Sequence, residues 1–566
     1  MNRQSLRSFI YQHHRWLFYC FWLLLTLMQA GLTELQDDEA YYWVFSKFLD
    51  LGYFDHPPMT ALLVKMGYAI FPNELGVRFF PLLLNVLSLV IIEKLTDKKN
   101  PLLFYGITLS LAILQISGFN AVPDTPLIFF TALFFLCYKR FAGRPSSQNT
   151  IFLGFCVALL FYTKYHAVLI VLFTLLSNVR LFRKPQIYIA GLVAFWLYIP
   201  HLLWQWENNW ISFRYHLFES NVNPYKFSFT AEYLLGQVIL AGPIVGLILI
   251  PAAFLHKTKN ATEKAMRYSM IGIYIFFLLS SFRGKVEANW TSPAIVSLII
   301  LAHQYLQEKL TPIAVGGQRL LFRLLPVTLF IVLFARIVMI EDILPVKQIK
   351  KRYHAWKEWP AIMKEKTKGL PIVFSNSYQR ASKYWFYSGQ ITLSQNLYKE
   401  RRNNYNFWPI EQEMLGKPVY FLDIYNLKRF PDSIKTPIGY VGYRYDSSFN
   451  SFQTIRIETT KSSFKIKSGD SLSLNCTARL TRWQLGYLWE HPDMKHSVSL
   501  IFFQKRKIIA EKLLPLTLHD LARLTDDDLV TVTPGLQDGK YEMMFSVAVP
   551  GYNPTHNSNK IKLQIE

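Results

Sequence analysis

What limits this chain most is a succession of apolar runs separated by short basic loops, which continues to about Met339 and then gives way to alternating polar and apolar sequence. A helix that crosses roughly 30 Å of hydrocarbon needs about 20 mostly apolar residues. Runs that meet or approach this lie near 16–33, 77–92, 101–118, 125–138, 150–162, 166–179, 187–204, 232–255, 268–282, 291–307 and 320–340. The chain is therefore read as a polytopic α-helical membrane protein with about eleven transmembrane helices. The runs at 150–162 and 166–179 are short, and read either as two helices or as one broken pair. Leu17 to Thr33 is followed by Glu34 and Gln36 with no small-residue cleavage pattern, so the first run is read as an anchor and not as a signal peptide.

Charge sets the sidedness. Lys and Arg number 61 against 38 Asp and Glu, a net charge of +23, yet only 17% of residues are charged. Soluble domains carry roughly 25%, so the basic residues matter by position. Arg3, Arg7 and Arg15, then Lys94, Lys98 and Lys99, then Lys139, Arg140 and Arg144, then Arg180, Arg183 and Lys184, then Lys257, Lys259, Lys264 and Arg267, then Lys309, Arg319 and Arg323 fall on alternate loops. Positive loops stay in the cytoplasm during insertion. The N-terminus is thus expected inside, with 34–76, 119–124, 205–231, 283–290 and everything after about 341 outside. This arrangement argues for membrane topology and against a nucleic-acid partner. A disulfide-built fold is excluded as well, since Cys20, Cys137 and Cys156 lie in apolar runs and Cys476 stands alone.

Three domains are expected: a membrane catalytic domain over 1–340, a small exterior α/β module over 341–439 and an exterior β-sandwich over 440–566. The module is read from the strand-like PIVFSN and KPVYFLDIY around the helical SYQRASKYWFYSG. The sandwich is read from FQTIRIE, SLSLNCTARL, SVSLIFFQ and KYEMMFSVAV, separated by turns such as SGD and QDGK. Asn475-Cys476-Thr477, a formal glycosylation sequon, falls in such a strand pattern.

The first exterior loop holds the richest chemistry. Asp37, Asp38 and Glu39 follow the first run directly, Tyr41, Tyr42 and Trp43 come next, and Asp55-His56-Pro57-Pro58 makes a rigid polar turn. Acidic residues in a helix's first turn also serve the helix dipole, worth about 0.3–1 kcal/mol each, so three carboxylates alone do not make a site. The string DDEAYYW followed by LGYFDHPPMTALL, however, resembles the first exterior loop of GT-C superfamily glycosyltransferases, specifically bacterial relatives of protein O-mannosyltransferases and of lipid A aminoarabinose transferases. NAVPDTPLIFF at 120–130, YTKYHAVL at 162–169 and RGKVEANWTSPA at 283–294 resemble further exterior segments of the family, and SYQRASKYWFYSG and RRNNYNFWP resemble segments of its soluble domain. The resemblance covers the membrane half and does not extend to the terminal β-region.

The resemblance implies a GT-C fold in a bacterial inner membrane, with the active site on the periplasmic side. It implies transfer of one sugar, with inversion, from a polyprenyl-phosphate carrier to an acceptor hydroxyl on a glycolipid, polysaccharide or protein. An attacking hydroxyl must lose its proton to a nearby base, worth about 10²–10⁴-fold. Asp38 matches the family's catalytic position, and Asp124 is the candidate that orients the acceptor or assists. A departing lipid phosphate needs cations. Lys164, Lys285 and His56 are the candidates, with Arg78 and Arg214 behind them, and Glu39 and Tyr42 are placed beside them in substrate binding. Neither Lys164 nor Lys285 is expected to have an essential buried partner. A lysine at a membrane boundary is otherwise commonly a snorkelling one.

Asp55 with His216 offers an oxygen and a nitrogen ligand for a divalent metal, Zn, Mg or Mn. In lipid A aminoarabinose transferases the corresponding turn is Glu-Lys-Pro-Pro and its Glu ligates a metal, so Asp55 matches in kind while His56 departs. A structural role for the turn is the alternative. Trp204, Trp206 and Trp210 read as an interfacial aromatic belt, or as rings that stack on sugar or prenyl chain. The competing functional class is a lipid or glycan transporter with a glycan-binding exterior domain. Transporters place ionisable residues inside their spans, whereas the acidic motif residues here sit at span ends on one side.

Overall fold

The computed structural model describes residues 3–220, 224–308, 310–436, 439–505, 507–525 and 528–566; Lys309, one of the loop lysines used for sidedness, lies outside the described residues. The chain divides into two compact units, Met1–His354 and Ala355–Glu566.

In the first unit each apolar run is helical. In chain order the helices are α1 (Arg3–Leu32), α2 (Asp37–Lys47), α3 (Met59–Ile70), α4 (Glu74–Leu95), α5 (Pro101–Ser110), α6 (Ala112–Ser117), α7 (Asp124–Gly143), α8 (Ser147–Phe161), α9 (Ala167–Ser177), α10 (Pro185–Glu207), α11 (Ile211–Arg214), α12 (Phe227–Leu240), α13 (Gly246–Leu255), α14 (Ala261–Ser280), α15 (Ala294–Glu308), α16 (Pro312–Ile340) and α17 (Lys347–Tyr353). Among the described residues five helices are long and apolar enough to cross a membrane: Phe9–Leu32 of α1, and α4, α7, α10 and α16. The short runs at 150–162 and 166–179 form two separate helices, α8 and α9, and the turn between them carries Lys164. Helix starts follow local chemistry. Asn73, Ser146 and Asn260 accept from backbone N–H groups of the first turns of α4, α8 and α14, and Pro101 opens α5 behind its Asn100 cap.

Two of the expected spans are interrupted. The run at 101–118 breaks between α5 and α6, and the run at 232–255 breaks between α12 and α13 at Gly242-Pro243. Gly242 has φ +117°, and a Cβ there would lie 2.9 Å from the carbonyl oxygen of Ser110 and 2.6 Å from Val245 Cγ2. The two breaks therefore meet inside the bundle, where only glycine permits both the backbone conformation and the approach. Irregular backbone at this depth is tolerated because protein surrounds it.

The second unit contains α18 (Trp359–Thr367), α19 (Tyr378–Ser388) and α20 (Arg482–Glu490) among thirteen strands, β1 (Ile372–Ser375), β2 (Thr392–Gln395), β3 (Val419–Asp423), β4 (Asp432–Thr436), β5 (Gly439–Asp446), β6 (Arg456–Thr459), β7 (Ser463–Ile466), β8 (Leu472–Arg479), β9 (Ser497–Gln504), β10 (Lys507–Leu513), β11 (Leu529–Val532), β12 (Gly539–Ala548) and β13 (Ile561–Ile565), counted among the described residues. The first sheet has the order β2-β1-β3-β5-β4, with β1 parallel to β2 and β3. Trp359 of α18 stacks on Phe374 of β1, and both contact Tyr384 of α19, which covers one face of the sheet.

Two boundaries shift from the sequence reading. The membrane unit extends past 340 through α17, and the α/β sheet extends past 439, because β5 pairs antiparallel with both β3 and β4. The rest of the unit is strand-rich as expected, with a five-stranded sheet of order β10-β9-β12-β13-β7 and a three-stranded sheet of order β11-β8-β6. The sequon asparagine lies in β8, beside buried Cys476.

Candidate active site

Helix α2 begins where the three carboxylates stand, and helical geometry sends them apart. A one-residue step turns a side chain by about 100°. Asp37 is half-buried, Asp38 is exposed and Glu39 is fully buried. Glu39 Oε1 accepts from Arg78 Nε at 2.7 Å and from the backbone N–H of Ala121 at 2.8 Å. Its Oε2 accepts from Arg78 Nη2 at 2.6 Å and from the backbone N–H of Gln36 at 3.0 Å. Arg78 also donates to the carbonyls of Ala30 and Thr33 through Nη1, and to that of Glu34 through Nη2. Every guanidinium donor and every carboxylate lone-pair site is thereby used. The pair joins the end of α1, the start of α2, the first turn of α4 and the loop before α7. Glu39 and Arg78, both expected at a substrate, form a fully buried pair that ties these four segments together.

The second carboxylate gathers the remaining motif segments. Asp124 opens α7 and is buried. Its Oδ1 accepts from Lys164 Nζ at 2.9 Å and from Ser292 Oγ at 2.6 Å, and its Oδ2 accepts from Asn289 Nδ2 at 2.8 Å. The segments NAVPD, YTKYH and EANWTS, distant in sequence, thus converge on one side chain. This corrects the expectation for Lys164, which has a buried partner: the side chains of the pair are 8% and 3% exposed. Lys285, by contrast, is half exposed and lies 3.4 Å from Glu287. Asn289 and Ser292 were legible only as polar members of a motif segment, and they become significant because Asp124 needs donors.

The Asp-His-Pro-Pro turn is held from the other side by the end of α10 and by α11. His201 Nδ1 donates to the carbonyl of Leu51 at 2.7 Å, and Ser212 Oγ donates to that of Tyr53 at 2.8 Å. Gln205 Nε2 donates to Tyr165 Oη and to Ser212 Oγ. Trp204 Nε1 donates to Asp50 Oδ2 at 2.7 Å. A Cβ on Gly52 would come within 2.5 Å of the Trp204 ring, so that ring lies directly on the loop backbone. Trp204 is therefore a buried clamp and no part of an aromatic belt, whereas Trp206 and Trp210 remain exposed. His201, which the sequence reading passed over, carried one signal: an ionisable residue inside an apolar run. His56 sits with its ring 5.5 Å from that of Tyr42, itself buried, and Arg214 is exposed. At the far end of α2, Lys47 Nζ lies 4.5 Å from the Trp43 ring centre and 4.8 Å from that of Tyr68. Partial desolvation beside these rings holds its ammonium below the usual lysine range, with Lys65 adding to the effect.

The metal reading finds little support. His216 Nε2 donates to the backbone carbonyl of Asp55 at 2.9 Å, and among the described residues no three His, Cys, Asp or Glu side chains are grouped to hold an ion.

Known proteins resemble this chain in sequence and in fold. Residues 55–204 match the family described as dolichyl-phosphate-mannose-protein mannosyltransferase. The lipid A galacturonosyltransferase RgtD of Rhizobium johnstonii is 25% identical over 295 residues, which are 49% of this chain and 62% of that protein. A protein of Aquifex aeolicus is 40% identical over 95 residues, 16% of this chain and 19% of that one. The matches thus span less than two thirds of either relative. The structure of ArnT from Cupriavidus metallidurans in the apo state superposes with a TM-score of 0.57 at 13% identity, over 75% of this chain and 97% of that one. The same protein bound to undecaprenyl phosphate gives 0.55 at 14% identity, with the same coverage. The fold is of the GT-C membrane type, and the likeness to GT-C glycosyltransferases read from the motifs holds.

The Asp124–Lys164 pair generates a prediction about stability. Lys164→Met leaves a buried carboxylate without its cation and should destabilise the first unit by about 3–5 kcal/mol. The double variant Lys164→Met with Asp124→Asn should recover more than half of the loss. Thermal unfolding of the purified protein in detergent decides it, and a single variant as stable as the parent would mean that the pair contributes nothing.

Proposed function

We propose that this protein is an integral-membrane inverting glycosyltransferase that moves one sugar from a polyprenyl-phosphate carrier to a hydroxyl of a cell-envelope glycolipid on the exterior face. The observation that carries the reading is the contrast among the exterior motif carboxylates. Glu39, Asp55 and Asp124 are buried, whereas Asp38 is exposed on the same rigid frame. Fixed donors and a neighbouring cation hold a carboxylate in its ionised form: Glu39 has all four acceptor sites filled, and Asp124 has three of its four filled, one of them by Lys164, so neither is set up to take a proton. Asp38 is the carboxylate placed to meet an acceptor. In the displacement, the acceptor oxygen bonds to the anomeric carbon as its proton passes to Asp38. The bond from that carbon to the phosphate oxygen breaks, and the carrier phosphate leaves with the electron pair. Lys285 is the cation placed to meet that charge, since it lies on the loop tied to Asp124 through Asn289 and its side chain is half exposed. Asp124 positions that loop and the turn bearing Lys164.

The choice of donor and acceptor is supported by what the relatives are. One is a lipid A transferase, and ArnT, which shares the fold, has been seen with undecaprenyl phosphate. Each apolar run is taken as one crossing, including the two interrupted ones, so that the second unit lies outside, with its two all-β sheets forming the sandwich.

Two measurements test this reading. A phosphatase fused after Glu566 should be active, and a fluorescent protein that matures only in the cytoplasm should be dark there; the reverse pair of results would refute the eleven-crossing topology, an order set by about 20 residues per span. Asp38→Asn should lower the transfer rate by about 10²-fold or more with donor affinity little changed, while Asp37→Asn stays within about threefold of the parent. Equal behaviour of the two variants would remove Asp38 from the role of base.

A further inference from the structure

Arg336 lies on α16, four residues before its exterior end, or about 6 Å along the axis at 1.5 Å per residue. It is 3% exposed, although Leu333, Phe334 and Ile337 around it are exposed on the outer surface of the helix. Its Nη2 donates to the carbonyl of Gln115 at 3.2 Å, while Nε and Nη1 are buried with no acceptor among the described residues. The guanidinium lies 5.8 Å from the Phe119 ring centre, and the guanidinium of Arg78 lies 5.5 Å from the same ring. Arg78 is neutralised by Glu39, whose four acceptor sites are filled, so Glu39 has no capacity left for a second cation. Next to Phe119 in sequence, Asn120 Oδ1 is likewise buried without a donor among the described residues.

A buried water can fill an N–H, but it does not offset a charge. An unmatched cation inside a membrane bundle costs several kcal/mol, and natural chains keep such a residue where an anion completes it. We propose that Arg336 is an oxyanion anchor whose unmatched Nε and Nη1 hydrogens take the oxygens of a phosphate group entering from the exterior leaflet. Planar guanidinium donors suit phosphate oxygens, and a charge-assisted bond in a dry site is strong. Its burial from water and its lipid-facing neighbours place the group on a lipid rather than in solution. The proposal rests on the exterior sidedness of the end of α16 and not on sugar transfer, so it can fail while the transferase reading stands, and the reverse.

The test is ligand-induced stabilisation of the full chain in maltoside detergent, whose headgroup carries no phosphate, for the parent, Arg336→Met and Arg336→Lys. The probes are undecaprenyl phosphate, phosphatidylglycerol and inorganic phosphate. At least one lipid should stabilise the parent saturably, with binding weakened about tenfold or more in Arg336→Met and partly kept in Arg336→Lys. The lipid that binds identifies the source, carrier or bulk, and stabilisation by inorganic phosphate alone would overturn the placement of the group on a lipid. Without any probe, Arg336→Met should melt at or above the parent, because it removes an unmatched buried charge. Binding of no probe to the parent, equal binding in parent and Arg336→Met, or a probe-free Arg336→Met that melts well below the parent would each overturn the proposal.

Discussion

One end of the membrane unit depends on a carboxylate and a guanidinium that have no contact with solvent. Glu39 and Arg78 are both fully buried, and a buried ion pair is commonly no better than a packed apolar pair, because desolvation cancels the attraction. This one escapes that balance through complete satisfaction. Arg78 spends two donors on Glu39 and three on carbonyls at and just beyond the end of α1, groups that a helix C-terminus otherwise leaves without partners. Glu39 meanwhile takes the N–H of Ala121, three residues before Asp124. The position of α2, and with it the direction in which Asp38 points, is thus tied to the loop that leads into the second motif.

Asp124 extends the same logic. It neutralises Lys164 and is bonded by Asn289 and Ser292, so the turn between α8 and α9 and the loop before α15 are fixed to the start of α7. The consequence for mechanism is a division of labour among carboxylates that look alike in sequence. The buried ones, bonded by fixed donors, hold the frame, and the proposed base is the exposed one. One charge that the frame does not neutralise stands out against it, Arg336 inside the bundle.

Much of this was legible beforehand, for physical reasons. Length and apolarity place a run in a helix whatever its neighbours do, and so the membrane helices were readable one by one. Strand period and turn residues located β1, β3, β8, β9 and β12 in the same way. Pairings between distant segments were not readable, because no local pattern encodes them. Lys164 looked like a boundary lysine until Asp124 was found beside it, and Trp204 looked like its exposed neighbours Trp206 and Trp210 until Gly52 was found beneath its ring. The breaks at Ser110 and Gly242 required knowing that the two helices touch. The α/β sheet overran its expected limit because β5 follows β4 through a short connection and pairs back onto it, while composition alone assigned β5 to the strands that come after.

The central claim is that this chain catalyses transfer of a single sugar with inversion, and the stereochemistry of the product tests it most directly. The full chain, reconstituted in liposomes with envelope lipid as acceptor and a polyprenyl-phosphate sugar of known anomeric configuration, should release the free polyprenyl phosphate. The acceptor should gain the mass of one sugar, seen by mass spectrometry, and NMR of the product should show the opposite anomeric configuration to the donor. A product with the donor's configuration, or donor lipid that crosses the bilayer unchanged with no mass added to any acceptor, would contradict the account.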